Sequence, residues 1–167
     1  LNPAYRDDEF ARYLRATKAD CLVVDRDDSA AAAVARRAGI PVVIVAAADI
    51  ANLGIPAAGR PLPRPRPDDV ALILMTSGST GSGKIVPLTH RNLCASAADV
   101  CRSVGIDADD RVLSMWEQFH IGGIVDLLLA PLAAGGTVIA AGRFDAARFF
   151  ELLPVARPTW FQGVPTT

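Results

Sequence analysis

The sequence predicts an α/β fold in which strands and helices alternate around a mostly parallel sheet. Short apolar runs rich in valine and isoleucine recur along the chain, and stretches with apolar residues three and four positions apart separate them. Continuous apolar runs are typical of strands covered by helices on both faces, as in parallel sheets. Since 51% of the 167 residues are hydrophobic and 21% are charged, the chain can bury a substantial core.

The first part of the chain predicts a helix, a strand, a helix and a strand. In order, these elements are expected at 6–19, 21–25, 29–39 and 41–47. Phe10, Tyr13 and Leu14 have the spacing of one helix face, so they are expected to be buried. Residues 1–47 are therefore predicted to form a first α/β unit.

Proline and arginine interleave in the next segment, 48–69. It contains five prolines between positions 56 and 67 and three arginines between positions 60 and 66. Alternating proline favours extended polyproline II geometry, so we interpret the segment as a solvated linker between two α/β units. A partner-binding site is the alternative interpretation of its basic residues.

The alternation resumes in a second unit, 70–167. Its expected strands are 70–76, 85–88, 111–116, 137–141 and 159–164, and its expected helices are 89–105, 122–134 and 145–156. Thr89 and Asp145 each precede an amphipathic run, as helix N-caps do. The apolar stretch 121–141 is long enough to span a bilayer as one helix, but a proline and two consecutive glycines divide it. A buried helix followed by a strand is therefore expected there.

The charge balance favours neither nucleic acid nor a membrane surface as a partner. With 17 basic and 18 acidic residues, the chain lacks the basic footprint that a phosphate backbone requires. Cys21, Cys94 and Cys101 form no C-x-x-C pair, only two histidines accompany them, and no metal-ligating residue is predicted. The three cysteines are expected to be buried free thiols. Together with an N-terminus unlike a signal peptide, they predict a cytoplasmic protein.

A nine-residue stretch, TSGSTGSGK, is dense in glycine and hydroxyl residues and ends at Lys84. Glycine lets a backbone approach a phosphate closely, the hydroxyls of Thr76, Ser77, Ser79 and Thr80 add donors, and the lysine adds a positive charge. Phosphate binding is the function that this composition favours. A mobile turn between two strands is the alternative.

Two features argue against a P-loop nucleoside triphosphatase, although the stretch fits the first seven positions of G-x-x-x-x-G-K-[ST]. The eighth position is Ile85, which offers no hydroxyl to Mg²⁺. A P-loop also needs a helix directly after its lysine. Residues 85–88 read IVPL, a β-branched run with an internal proline that would break a helix. We therefore expect a strand on each side of the loop.

The longer run LMTSGSTGSGKIVPLTHRNL resembles the signature loop of the adenylate-forming superfamily, which includes acyl-CoA synthetases, adenylation domains of peptide synthetases and luciferases. The opening LNPAY and residues 119–167 resemble the flanking segments of the family in order and spacing, so the resemblance covers essentially the whole chain. It departs from the family at Gly83, where proline is usual, at Ile85, where glycine is usual, and at WEQFH, where PLFH is typical. The resemblance implies an internal fragment of the large N-terminal domain of an acyl-CoA ligase, expected to be inactive by itself.

The resemblance also implies a two-step reaction with ATP, Mg²⁺ and coenzyme A. A small carboxylic acid is activated as an acyl-adenylate with release of pyrophosphate, and the acyl group then passes to a thiol. Within the family pattern, the residues that wrap the β- and γ-phosphates are Thr76, Ser77, Gly78, Ser79, Thr80 and Gly81. Lys84 would neutralise the departing pyrophosphate and His120 would lie beside the substrate carboxylate, so these two are the predicted catalytic residues.

Two aromatic residues near His120, Trp116 and Phe119, are expected to line the acyl pocket, with core packing as the alternative. A different hypothesis for the whole chain is a non-catalytic module that binds ATP or another phosphate ligand, which the departures at Gly83 and Ile85 would favour. In either case the isolated chain is expected to self-associate through exposed apolar surface.

Overall fold

The computed structural model describes residues 1–46, 64–76 and 84–164. The first of two units contains α1 (Asp7–Thr17), β1 (Leu22–Val24), α2 (Ala30–Arg37) and β2 (Val42–Ile44). The two strands pair in parallel, with Leu22 opposite Val42 and Val24 opposite Ile44. The unit is therefore a β-α-β arrangement preceded by a helix, in the order predicted.

The core of the first unit lies between its two helices and its strands. Phe10, Tyr13 and Leu14 of α1 are buried, as their spacing predicted. Phe10 and Leu14 pack with Val34 and Ala35 of α2 in one apolar cluster. The amphipathic face of α1 thus faces α2, and apolar burial of this kind supplies most of the stability of a short helix.

The second unit, described over residues 65–76 and 86–164, contains the remaining elements, except that Lys84 and Ile85, the first two residues of one strand, are grouped with the first unit. They are β3 (Val70–Thr76), β4 (Lys84–Thr89), α3 (His90–Val104), β5 (Arg111–Ser114), α4 (Ile121–Ile124), a π-helical turn (Val125–Leu129), α5 (Ala130–Ala134), β6 (Thr137–Ala140), α6 (Ala146–Ala156) and β7 (Trp160–Phe161). β3 and β4 form a two-stranded sheet, and β5 lies between β6 and β7 and is parallel to both. The predicted α/β class with mostly parallel pairing is confirmed.

Both predicted N-caps are confirmed. The hydroxyl of Thr89 accepts the N–H of Asn92 at 3.2 Å, and the Asn92 side chain accepts the N–H of Thr89 at 3.0 Å. α3 thus begins with a reciprocal capping box. At the start of α6, the Asp145 carboxylate accepts the N–H of Arg148 at 2.8 Å.

The predicted helix 122–134 contains a π-helical turn that the sequence did not indicate. The N–H of Ala130 donates to the carbonyl of Val125, five residues earlier, and Pro131 follows with no N–H to donate. Val125, Leu127 and Ala130 are buried, as expected for this stretch. In the described part of the chain, no helix has the length and apolar character needed to cross a membrane.

The cysteines differ from the prediction. All three are free, but Cys21 and Cys94 are exposed and Cys101 is partly buried, so the expectation of burial is wrong for the first two. Cys21 precedes the short strand β1 and Cys94 lies on a solvent-facing side of α3, whose buried residue is Ala97. The thiol of Cys101 donates to the carbonyl of Ala130 at 3.1 Å.

The described part of the predicted linker, residues 64–69, contacts the start of α3. The N–H of Arg91 donates to the carbonyl of Pro67 at 2.8 Å, and the N–H of His90 donates to that of Asp69 at 3.1 Å. The backbone of His90 therefore takes part in a structural contact, in keeping with its place in the first turn of α3. The division of the chain by this linker stays a prediction.

Candidate functional site

The predicted phosphate-binding loop is bounded by two strands. Thr76 is the last residue of β3 and Lys84 is the first residue of β4, and these strands are hydrogen-bonded neighbours. A strand therefore follows the lysine, as predicted, and Lys84 does not begin the helix that a P-loop phosphate site requires. The predicted loop residues that lie outside the described part of the chain are Ser77, Gly78, Ser79, Thr80 and Gly81.

His120 ends the connection between β5 and α4. Its N–H donates to the carbonyl of Glu117 at 3.2 Å, and its carbonyl accepts the N–H of Ile124 at 3.2 Å, which makes His120 the N-cap of α4. The imidazole is exposed and lies against the ring of Phe119, with 4.6 Å between the ring centroids. The connection leaves the carboxyl end of a parallel strand, the edge at which α/β sheets commonly bind ligands.

A cavity of about 210 Å³ lies at this edge of the three-stranded sheet. Its lining residues all come from the carboxyl ends of β5, β6 and β7. They are Met115, Trp116, Glu117, Arg143, Phe144, Phe161, Gln162, Gly163 and Val164. The parallel pairing of the strands is what brings these three separate segments together.

The two aromatic residues expected at an acyl pocket have different surroundings. Trp116 lines the cavity, and its ring also packs near Gly122, where an added methyl group would lie 3.1 Å from Cζ3. Phe119 is absent from the cavity lining among the described residues and instead contacts His120. Of the two, Trp116 is therefore the one placed to contact a ligand in this cavity.

Two charged residues at the cavity were missed in the sequence. Arg143 Nε lies 3.4 Å from Glu117 Oε1, with the glutamate side chain 30% exposed and the arginine side chain 85% exposed. Each is the third residue beyond the end of its strand, Glu117 after β5 and Arg143 after β6. Matching positions after neighbouring parallel strands are the signal that could have identified the pair.

A titrating group with a shifted pKa lies at the opposite edge of the same sheet. Asp110 precedes β5 and accepts a hydrogen bond from the Thr159 hydroxyl at 2.5 Å and from the Asp107 N–H at 3.0 Å. These two hydrogen bonds lower the pKa of the Asp110 carboxyl, the bond from Thr159 having the larger effect. Because Asp110 precedes β5 and Thr159 precedes β7, their hydrogen bond links the starts of these two strands. Asp110 is not among the described residues that line the cavity.

Together, the fold and site define an α/β protein with a glycine-rich sequence between two paired strands and a cavity at the carboxyl ends of a parallel sheet. The whole chain, residues 1–167, matches the family of AMP-binding enzymes. The chain belongs to this family, and the resemblance seen in the loop is confirmed.

Similar proteins include CoA ligases. Sulfoacetate–CoA ligase from Cupriavidus necator is 41% identical over 162 residues, which cover 93% of this chain and 32% of that protein. Oxalate–CoA ligase from Arabidopsis thaliana is 30% identical over 177 residues, covering 99% of this chain and 34% of that protein. A crystal structure of ATP-bound MatB from Rhodopseudomonas palustris has a TM-score of 0.83 at 28% identity and covers 99% of this chain and 34% of its own. The chain thus spans about a third of the length of the curated relatives it matches.

Proposed function

We propose that this chain is the phosphate-binding part of an AMP-forming ligase that joins a carboxylic acid to a thiol. The observation that carries the proposal is the glycine-rich sequence between β3 and β4, in a chain that matches the AMP-binding family throughout. The names of the two relatives support coenzyme A as the thiol. The ATP-bound MatB structure supports ATP as the nucleotide.

In the proposed first step, a carboxylate oxygen attacks the α-phosphorus of ATP. The bond from that phosphorus to the bridging oxygen breaks, pyrophosphate leaves, and an acyl-adenylate forms. In the second step, the thiol sulfur attacks the acyl carbonyl and displaces AMP, and the thiol proton passes to solvent. Negative charge spreads over phosphoryl oxygens in the first step, so positioned N–H groups and cations lower its barrier.

The loop is proposed to supply these groups. Residues 76–81 surround the β- and γ-phosphates with backbone N–H groups and hydroxyls, and Lys84 neutralises the departing pyrophosphate. His120 is proposed to lie beside the substrate carboxylate, although it is not one of the described residues that line the cavity at the carboxyl ends of β5, β6 and β7. Mg²⁺ would neutralise further phosphate charge when bound. The described part of the chain contains no cluster of three or more His, Cys, Asp or Glu side chains that could hold a metal ion, so we assign it no magnesium ligand there.

The cavity at the carboxyl ends of β5, β6 and β7 favours a small acid. Its volume of about 210 Å³ is below the range of about 300–1,000 Å³ usual for drug-sized ligands. Sulfoacetate and oxalate, which appear in the names of the two relatives, are both small anions. We therefore place a small carboxylic acid in this cavity, in contact with Trp116.

Two expectations about the surroundings of the chain belong to the same proposal. One is a cytoplasmic location. The other is self-association of the isolated chain, which exposed apolar residues of α6 support: Phe150 is 68% exposed and Val155 is 81% exposed. A monodisperse monomer in light scattering across a wide concentration range would argue against self-association.

Acid-dependent exchange of pyrophosphate into ATP, measured on the full-length gene product with a panel of small carboxylic acids, tests the proposal. Lys84→Ala is expected to lower exchange by about a hundredfold, because a cation is lost where charge develops. Lys84→Arg keeps the charge and should retain part of the activity. Arg102→Ala, which removes an exposed arginine paired with Asp99 on α3, is the matched control and should leave exchange unchanged.

Two outcomes would change the assignment. Undiminished exchange in Lys84→Ala would remove this residue from its role. ATP binding without exchange for any acid would favour the alternative, a non-catalytic ATP-binding module. The isolated chain, which is expected to be inactive, serves as the negative control for exchange.

A further inference from the structure

Side chains of the turn between β5 and α4 form a network of bonds, and two of its members, Glu117 and Arg143, also line the cavity at the ends of the strands. Glu117 and Gln118 occupy the places where proline and leucine are typical of the family. The Glu117 carboxylate pairs with Arg143 at 3.4 Å. The Gln118 amide donates to the hydroxyl of Ser114 at 3.2 Å and to the carbonyl of Trp116 at 3.4 Å. The turn is thus bound both to the segment after β6 and to the end of β5.

The backbone of the same turn is in direct contact with α4. A methyl group at Gly123 would lie 2.4 Å from the carbonyl oxygen of Glu117, so only glycine allows this approach. The same carbonyl accepts the N–H of His120 at 3.2 Å. Glu117 therefore influences the position of His120 through both its side chain and its carbonyl group.

His120 has few constraints on its own side chain. The imidazole is exposed, its ring contact is with Phe119, and no side-chain hydrogen bond holds it among the described residues. The place from which the imidazole extends therefore depends on the backbone of residues 117–120, and its ring contact is with Phe119. Any group that fixes this backbone fixes the direction of the Cα–Cβ bond of His120 and so restricts the region that the imidazole can reach.

We infer that Glu117, held by Arg143, and Gln118 are positioning residues for His120. Their side-chain bonds give the turn the stiffness that a proline ring gives it in the typical family sequence. The inference rests on the proposed function, because it takes His120 to lie beside the substrate carboxylate. Loss of the network shifts His120 and slows the reaction, while ATP binding at the loop is retained.

The test measures kcat, the KM for ATP, the KM for the acid and the thermal unfolding midpoint of the full-length gene product. Because Glu117 and Arg143 line the cavity, a change confined to the KM for the acid would indicate direct contact with the substrate and would overturn the inference. Glu117→Ala is expected to lower kcat about two- to fivefold with the KM for ATP unchanged, the range expected for a partly exposed ion pair. Exchanging the two charges, with Glu117→Arg and Arg143→Glu together, should restore most of this loss. Glu151→Gln, which removes the exposed pair with Arg148 on α6, is the matched control and should not change kcat.

A second pair of variants tests whether the stiffness of the turn at Glu117 and Gln118 is the property that maintains kcat. The double variant Glu117→Pro with Gln118→Leu recreates the typical family sequence and should keep kcat. The double variant Glu117→Gly with Gln118→Ala lacks both the bonds and the ring, and should lose about tenfold. Full kcat in the glycine variant, together with a clear loss in His120→Ala, would overturn the inference.

Two other results can be distinguished from full kcat in the glycine variant. Full kcat in His120→Ala would instead remove His120 from the proposed function itself. A loss of kcat in Glu117→Ala that the charge exchange does not restore, and that a lowered unfolding midpoint accompanies, would make the pair a structural element and would also overturn the inference. Rescue by the exchanged pair at an unchanged midpoint is the result that supports it.

Discussion

Gly123 lets α4 approach the preceding turn closely. The effect of a methyl group at this position on the free energy of unfolding can be estimated from the contacts that it would make. The Cβ atom of Gly123→Ala would lie 2.4 Å from the carbonyl oxygen of Glu117 and 3.0 Å from its carbonyl carbon. Both atoms belong to the backbone, so no side-chain rotation can relieve the overlap. Normal contact requires the helix or the turn to move by about 1 Å.

The expected change in the free energy of unfolding has two opposing parts. Overpacking a buried position costs about 1–3 kcal/mol, whereas replacing glycine by alanine within a helix stabilises by about 1 kcal/mol. The two parts together give a net loss of about 0–2 kcal/mol. Because Gly123 is buried and the atoms that its Cβ would meet belong to the backbone, we expect the upper half of this range, about 1–2 kcal/mol. Gly122→Ala is the matched control, since its Cβ would meet the movable side chain of Trp116 at 3.1 Å.

Thermal unfolding of the two variants and the wild type provides the measurement. In a domain of about 150–250 residues, 1 kcal/mol shifts the unfolding midpoint by about 2–4 °C. Gly123→Ala is therefore expected to lower the midpoint by about 2–8 °C, and Gly122→Ala by about 1 °C or less. Equal losses in the two variants, or no loss in Gly123→Ala, would show that the contact with the Glu117 carbonyl does not control the packing of α4.

Two further predictions concern hydrogen bonds that organise the second unit. Asp110→Asn should destabilise the protein at neutral pH, because hydrogen bonds from Thr159 and Asp107 hold the pKa of this carboxyl below its ordinary value of 3.8. That stabilisation is present above pH 3.8 and is lost as the pH falls through the lower pKa of the folded state. The urea unfolding curves of the variant and the wild type should therefore converge in acid. A difference between their free energies of unfolding that stays constant down to about pH 2 would contradict this link between the pKa of Asp110 and stability. Thr89→Ala removes the N-cap of α3 and should cost about 0.5–2 kcal/mol in urea unfolding, whereas Thr89→Ser, which keeps the hydroxyl, should cost little.

The elements of the fold could be predicted because their signals are local. Thr89 and Asp145 mark helix starts through a bond to a residue three positions later, and apolar runs mark strands within a few residues. The π-helical turn ahead of Pro131 could not be predicted in this way, since its hydrogen bonding depends on how the whole helical segment packs. The exposure of Cys21 and Cys94 likewise depends on which neighbours cover them, a property of the tertiary structure.

The candidate site likewise has one part that the sequence could predict and one part that it could not. The predicted phosphate-binding residues form a continuous stretch of sequence, so their pattern could be recognised in the sequence, and so could the strand that begins at Lys84. The cavity could not, because its lining residues come from three strand ends that are distant in the chain. The pairing of Glu117 with Arg143 is of this kind, since it requires β5 and β6 to lie side by side in parallel register.

A departure from a family motif therefore has to be judged by the physical task of the residue that is replaced. Ile85 stands where glycine is usual in the family, and it lies in β4, where a β-branched side chain suits the strand. In WEQFH, Glu117 and Gln118 stand where proline and leucine are typical. The proline ring would restrict the turn, and the side chains of Glu117 and Gln118 both form bonds that restrict it. In each case the residues present suit the local backbone, so neither departure argues against the membership of the chain in the family of AMP-binding enzymes.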